Sequence, residues 1–141
     1  MGIRQDGSLW QLVGTQSTVI RKVAYDGPDD WIAVSAGGTH FLGIRGSGGQ
    51  RALWSWGQNL YGQLGNGSPI NGINYPIPRK VEYQGPDNWI MAAAGSPGGY
   101  ATGMSFGIRG SDGTGTLWAW GRTTAGNWGT AGQRTSTRPS P

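Results

Sequence analysis

The sequence predicts an all-β chain of repeated four-stranded units, and three observations carry that prediction. Phrases recur along the chain in fixed register. Short stretches of alternating apolar and polar residues lie between Gly- and Ser-rich turns. No stretch of ten residues shows a capped helical period. Composition agrees, with 28 Gly and 8 Trp among 141 residues and only 13% charged residues. Disordered chains are poor in aromatics, whereas Trp side chains that each bury about 150–250 Å² demand an ordered core.

The repeats are explicit. Gly-Ile-Arg stands at Gly2–Arg4, Gly43–Arg45 and Gly107–Arg109, and Leu-Trp follows at Leu9-Trp10, Leu53-Trp54 and Leu117-Trp118. Val23–Ile32 and Val81–Ile90 share the phrase Val-x-Tyr-x-Gly-Pro-Asp-x-Trp-Ile, which makes Trp31 and Trp89 equivalent. Leu53–Gly57 returns as Leu117–Gly121, so Trp54 and Trp56 match Trp118 and Trp120. The register continues without a gap, and Gly57, Gly62 and Gly65 map onto Gly121, Gly126 and Gly129.

Within the middle unit, Trp31–Ala36 reads as a first strand ending in small residues. His40–Arg45 reads as a second, with Leu42 and Ile44 on one face, and Ala52–Gly57 as a third. A Gly-rich loop containing Pro69, Pro76 and Pro78 then leads to a fourth strand around Arg79–Tyr83. Asp6-Gly7 and Asp112-Gly113 are hairpin signals. Four short strands per unit describe a propeller blade. Residues 1–30 are expected to form a partial blade of second to fourth strands, 31–85 a complete blade, and 86–141 a blade lacking most of its fourth strand. Two to three blades are too few to close a propeller within one chain.

Charge and residue types exclude several function classes. The net charge is +4, spread over Arg and Lys that form no basic block, which argues against a nucleic-acid partner. No Cys is present, so thiolate chemistry is out, and no apolar run is long enough for a membrane span or a signal core. The single His, His40, reads as a structural tie from the second strand to a neighbouring carbonyl. Asp26, Asp29 and Asp30 flank Pro28 and read as a turn rather than a metal loop. Gly62–Gly67 is Gly-rich but has no phosphate-binding Lys and no following helix. No catalytic residue, cofactor or metal is therefore expected.

The middle unit resembles the repeat of the regulator-of-chromosome-condensation family. Trp31, Val34, Gly37, His40, Trp56, Gly57, Asn59, Gly62, Gln63, Leu64 and Gly65 match that repeat position for position. The outer units depart from it. The third has Thr123, Asn127 and Trp128 in the signature loop and no His on its second strand, where Tyr100 or Thr102 is expected. The first has Leu12 in place of the second Trp. Members of the family close seven blades in one chain.

The resemblance implies a non-enzymatic structural or interaction module. Repeats of this look also occur in viral and phage structural proteins, so a virion component, a fibre or capsid-decorating part, is the favoured setting. Nucleotide exchange on a small GTPase with chromatin binding is the alternative, although neither a wedge nor acidic residues facing a switch region can be found. Carbohydrate or cell-surface binding is a third. Open sheets expose unpaired backbone edges, so the expected partners are other protein subunits, copies of the chain or the rest of a longer propeller. Arg4, Arg45 and Arg109 are expected either to stack on Trp faces or to form a cationic rim. Trp54, Trp56, Trp118 and Trp120 read as staples between blades, while Tyr61 and Trp128 fall in loops suited to a binding surface.

Overall fold

A computed structural model describes residues 1–13, 19–83, 85–95, 103–111, 114–123 and 126–127. These residues hold eleven strands and no helix, in three antiparallel sheets. The first sheet is β1 (Gly2–Ile3), β2 (Leu9–Leu12) and β3 (Ile20–Lys22). The second is β4 (Trp31–Ala36), β5 (His40–Ser47), β6 (Gln50–Asn59) and β7 (Asn71–Lys80). The third is β8 (Trp89–Gly95), β9 (Gly103–Ser111), β10 (Thr114–Thr123) and β11 (Gly126–Asn127). Each is a meander of neighbours in sequence, as expected of incomplete propeller blades, and the three do not close on one another. With no helix among the described residues, none is long and apolar enough to cross a membrane.

Registers repeat as the phrases do. Gly43 pairs with Trp54 and Gly107 with Trp118, while Gly2 pairs with Trp10. Thus β1 corresponds to β5 and β9, and nothing in the first sheet corresponds to β4 or β8. Met104 pairs with Gly121 as His40 pairs with Gly57, so Met104 takes the His position, not Tyr100 or Thr102. Those two residues lie outside the described set, as do Asp112 and Gly113.

The fourth strand of the middle sheet begins earlier than its prolines suggest. β7 runs Asn71–Lys80 and so includes Pro76 and Pro78, rather than starting near Arg79. It is the outer strand, where a missing N–H can face away from the ladder. Register shifts opposite Ser55/Gly57 and Gln58/Asn59 absorb the irregularity.

Strand alternation gives each sheet two unlike faces. Trp31 and Trp56 of the middle sheet pack against Leu9 and Val23 of the first unit. On its other face, Leu42, Ile44 and Leu53, all at most 1% exposed, pack against Trp89 and Trp120 of the third sheet. A Trp-bearing face therefore meets a branched-aliphatic face at both junctions. Each such buried aliphatic side chain contributes about 1.5–3 kcal/mol.

Candidate functional site

The phrase Val-x-Tyr-x-Gly-Pro-Asp-x-Trp-Ile folds into a clasp that ties one unit to the next. The Val23 amide donates to the Leu9 carbonyl at 2.8 Å, prolonging the pairing of β3 with β2. Tyr25 then donates its hydroxyl to the Pro28 carbonyl, and Lys22 closes on Asp29 at 2.5 Å. That contact holds the Lys22 ammonium above its usual pKa and the Asp29 carboxyl below its own. Asp30 accepts from Arg45 Nε at 2.7 Å, and its carbonyl accepts from the Gly46 amide at 3.1 Å. Trp31 enters β4 and lays its six-membered ring over Gly43, where any Cβ would collide with it.

Arg45 is the centre of this clasp. Its guanidinium lies 5.0 Å from the Tyr25 and Trp54 ring centroids and 5.7 Å from that of Trp31. A planar cation suits such a slot, since it stacks on π faces while its edge serves Asp30. Tyr25 meets Trp31 edge-on with centroids 5.2 Å apart.

The second copy reproduces these contacts. Tyr83 donates to the Pro86 carbonyl, Lys80 pairs with Asp87 at 2.5 Å, and Arg109 Nε reaches Asn88 Oδ1 at 3.4 Å. Trp89 covers Gly107, and the Arg109 guanidinium lies 4.4 Å from the Tyr83 centroid and 5.2 Å from that of Trp118. Burial raises the Tyr83 hydroxyl pKa, as it does that of Tyr25.

A second cluster joins the middle and third sheets. His40 Nε2 lies 2.9 Å from Ser105 Oγ, and Ser105 Oγ donates to the Gln63 carbonyl at 2.7 Å. One hydroxyl has one proton, so the imidazole donates from Nε2. The direct partner of His40 is thus a hydroxyl of the next sheet, and the expected carbonyl stands one hydrogen bond further on. The Gln63 carbonyl also accepts from Trp120 Nε1 at 2.9 Å. Burial pushes the His40 imidazole down to about 4, a backbone contact with Met104 working the other way. At 0% exposure and uncharged at neutral pH, this ring ties sheets together and meets no solute.

The Gly loop is wired to present Gln63. Asn59 Oδ1 accepts from the Leu64 amide at 3.1 Å, Asn59 Nδ2 donates to the Ser68 carbonyl at 2.8 Å, and Ser55 donates to the Leu64 carbonyl at 2.6 Å. Gly57 (φ +109°) packs its Cα against Thr39 and His40 backbone, which a side chain could not do.

The remaining residues singled out in the sequence are dispersed. Trp56, Trp89 and Trp120 are buried between sheets, and Trp54 and Trp118 flank them half-buried. Arg45 is 7% exposed, where a cationic rim would need it at the surface, and Arg109 is half-buried beside Tyr83. Arg4 is exposed and lies over Trp10 at 3.7 Å. Tyr61 is half-buried with Arg122 5.7 Å from its ring centroid. Gly62 and Gly65 turn the loop and Gly121 mirrors Gly57, whereas Gly126 lies in β11. Trp128 and Gly129 lie outside the described residues. Among the described residues, no three His, Asp or Glu converge to hold a metal. Sequence pattern does not reveal Ser105 or the notch at Gly43, because each is defined by the side chain it meets on another strand.

Meandering sheets tied face to face by repeated clasps define a blade-built repeat protein of the propeller type. Residues 31–63 and residues 52–97 each match a model of the Regulator of chromosome condensation (RCC1) repeat. Both matches lie within residues 31–97, so the middle of the chain resembles repeats of this family, which is generally a non-enzymatic interaction or exchange-factor module. Comparison with curated proteins returns no match.

Proposed function

We propose that the chain is a structural, protein-interacting part of a larger assembly, its units at 1–30, 31–85 and 86–141 serving as blades whose end faces are covered by other subunits, copies of the chain or the rest of a longer propeller. One observation carries this reading. Leu42, Ile44 and Leu53 are sealed by the third sheet, while their counterparts Phe106, Ile108 and Leu117 stay partly exposed. Met104, Phe106, Ala119 and Trp120 line a small recess on that face. Such a patch favours burial against protein. Support for a virion setting comes from the occurrence of similar repeats in viral and phage structural proteins and from composition, since few charges, no Cys and abundant Gly and Trp suit a rigid building block.

Sedimentation of the purified chain across a concentration range tests the reading, with defined higher-order species as the expected result. A monodisperse, inert monomer at every concentration would remove it. A labelled-nucleotide exchange assay on small GTPases separates the alternative, and no acceleration is expected.

A further inference from the structure

Asn66 and Asn71 are the Asn residues of this chain that precede Gly, and the fold treats them oppositely. An Asn-Gly pair can react with itself, because the side-chain amide carbon reaches the next backbone nitrogen and Gly puts no side chain in the way. Asn66 is held against this. It is 8% exposed, its Nδ2 donates to the Ser55 carbonyl at 3.2 Å, and its Oδ1 accepts from the Ser68 amide at 3.1 Å.

Asn71 stands at the start of the outer strand β7, in a different setting. It pairs with Asn59 while Asn74 pairs with Gln58, so Gly72 and Ile73 bulge from the ladder with no partner on β6. Asn71 Oδ1 accepts from the Ile73 amide at 3.0 Å and from the Tyr75 hydroxyl at 3.2 Å. That hydroxyl also lies 3.3 Å from the Pro69 carbonyl, which holds it in place. An Asn oxygen bonded to the amide two residues on folds its side chain over the peptide between, here the one that carries the Gly72 nitrogen. Both Gly72 and Ile73 are exposed, so water reaches the bulge.

We infer that Asn71-Gly72 is a self-modification site, at which the folded chain converts Asn71 to Asp and iso-Asp with water as the sole co-reactant. The Gly72 nitrogen gives its proton to water and bonds to Asn71 Cγ. Negative charge gathers on Oδ1, where the Ile73 N–H and the Tyr75 O–H already point. The Cγ–Nδ2 bond breaks, and the nitrogen leaves as ammonia after taking a proton from water. Water then opens the cyclic imide, so NH3 is exchanged for H2O and nothing is oxidised. Opening at Cγ restores the ordinary backbone as Asp. Opening at the main-chain carbon routes the backbone through Cβ and Cγ as iso-Asp, which shifts β7 against Asn59. Either product places a carboxylate on the outer strand beside the exposed Ile70, Ile73 and Ile77.

The test incubates the full chain at mildly alkaline pH in heavy-oxygen water, folded and in guanidinium chloride, with fragmentation mass spectrometry to locate the product. In the folded chain Asn71 should take up heavy oxygen as Asp and iso-Asp, at least as fast as in denaturant. Asn66 should be slowed about tenfold or more by folding. Tyr75→Phe should slow the folded Asn71 reaction about three- to tenfold, the worth of one hydrogen bond in the transition state, and leave the denatured rate unchanged. Gly72→Ala, whose methyl meets nothing within 4 Å, should slow it about tenfold with the circular dichroism spectrum unchanged. Protection of Asn71 on folding equal to that of Asn66 would overturn the site, and so would a folded rate indifferent to Tyr75→Phe.

Discussion

Arg45 Nε sits 2.7 Å from Asp30 Oδ1 while its guanidinium is enclosed by the rings of Tyr25, Trp31 and Trp54. One cation thereby joins the end of one unit to the start of the next. Arg45→Ala empties that slot and leaves Asp30 without its partner. A loss of roughly 2–3 kcal/mol is expected in urea unfolding. Arg45→Lys should recover only part of it, because an ammonium cannot lie flat between the rings.

His40 gives the fold a pH dependence of defined sign. Its folded pKa, about 4, lies below the ordinary value of 6.5, so between these values the unfolded state binds the extra proton. Stability is full above about pH 6.5, falls as pH drops toward 4, and then levels, a loss of about 3 kcal/mol for this group. Urea midpoints at pH 7, 5.5 and 4.5 should follow this course. His40→Gln should flatten it, whatever it does to the stability at pH 7.

Equivalent glycines should respond oppositely to the same change. Gly43→Ala drives a methyl into the Trp31 ring and Gly107→Ala does so at Trp89, each costing about 2–4 kcal/mol in thermal or urea unfolding. Gly2→Ala meets open space and should stay within about 0.5 kcal/mol of the parent.

The two aliphatic faces offer a similar contrast. Leu53→Glu buries a charge at a site with 0% exposure and should prevent folding. Leu117→Glu alters the partly exposed counterpart, so the chain should fold and the larger species in sedimentation should diminish.

Local patterning made most of the fold legible. Leu42 and Ile44 alternate across β5, and the Leu-Trp-x-Trp-Gly phrase fixed β6 against it, because a strand's faces follow from period two. Pro76 and Pro78 signal a loop and so predict β7 too short, and only its place at the sheet edge explains why they are tolerated. The candidate site was half legible. The recurrence of Arg4, Arg45 and Arg109 was plain, but stacking and a surface rim differ only in what faces the guanidinium. The repeat position of His40 predicts a structural role, yet its partner Ser105 lies 65 residues away in another sheet, beyond any local period.

The central claim is that the blades belong to a larger protein assembly, and the intact mass of the native complex containing this chain tests it most directly. Native mass spectrometry, with non-covalent contacts preserved, should show the chain in a stoichiometric complex with further protein subunits. Recovery of the chain solely as a free species at its own mass of 14.9 kDa would contradict the account.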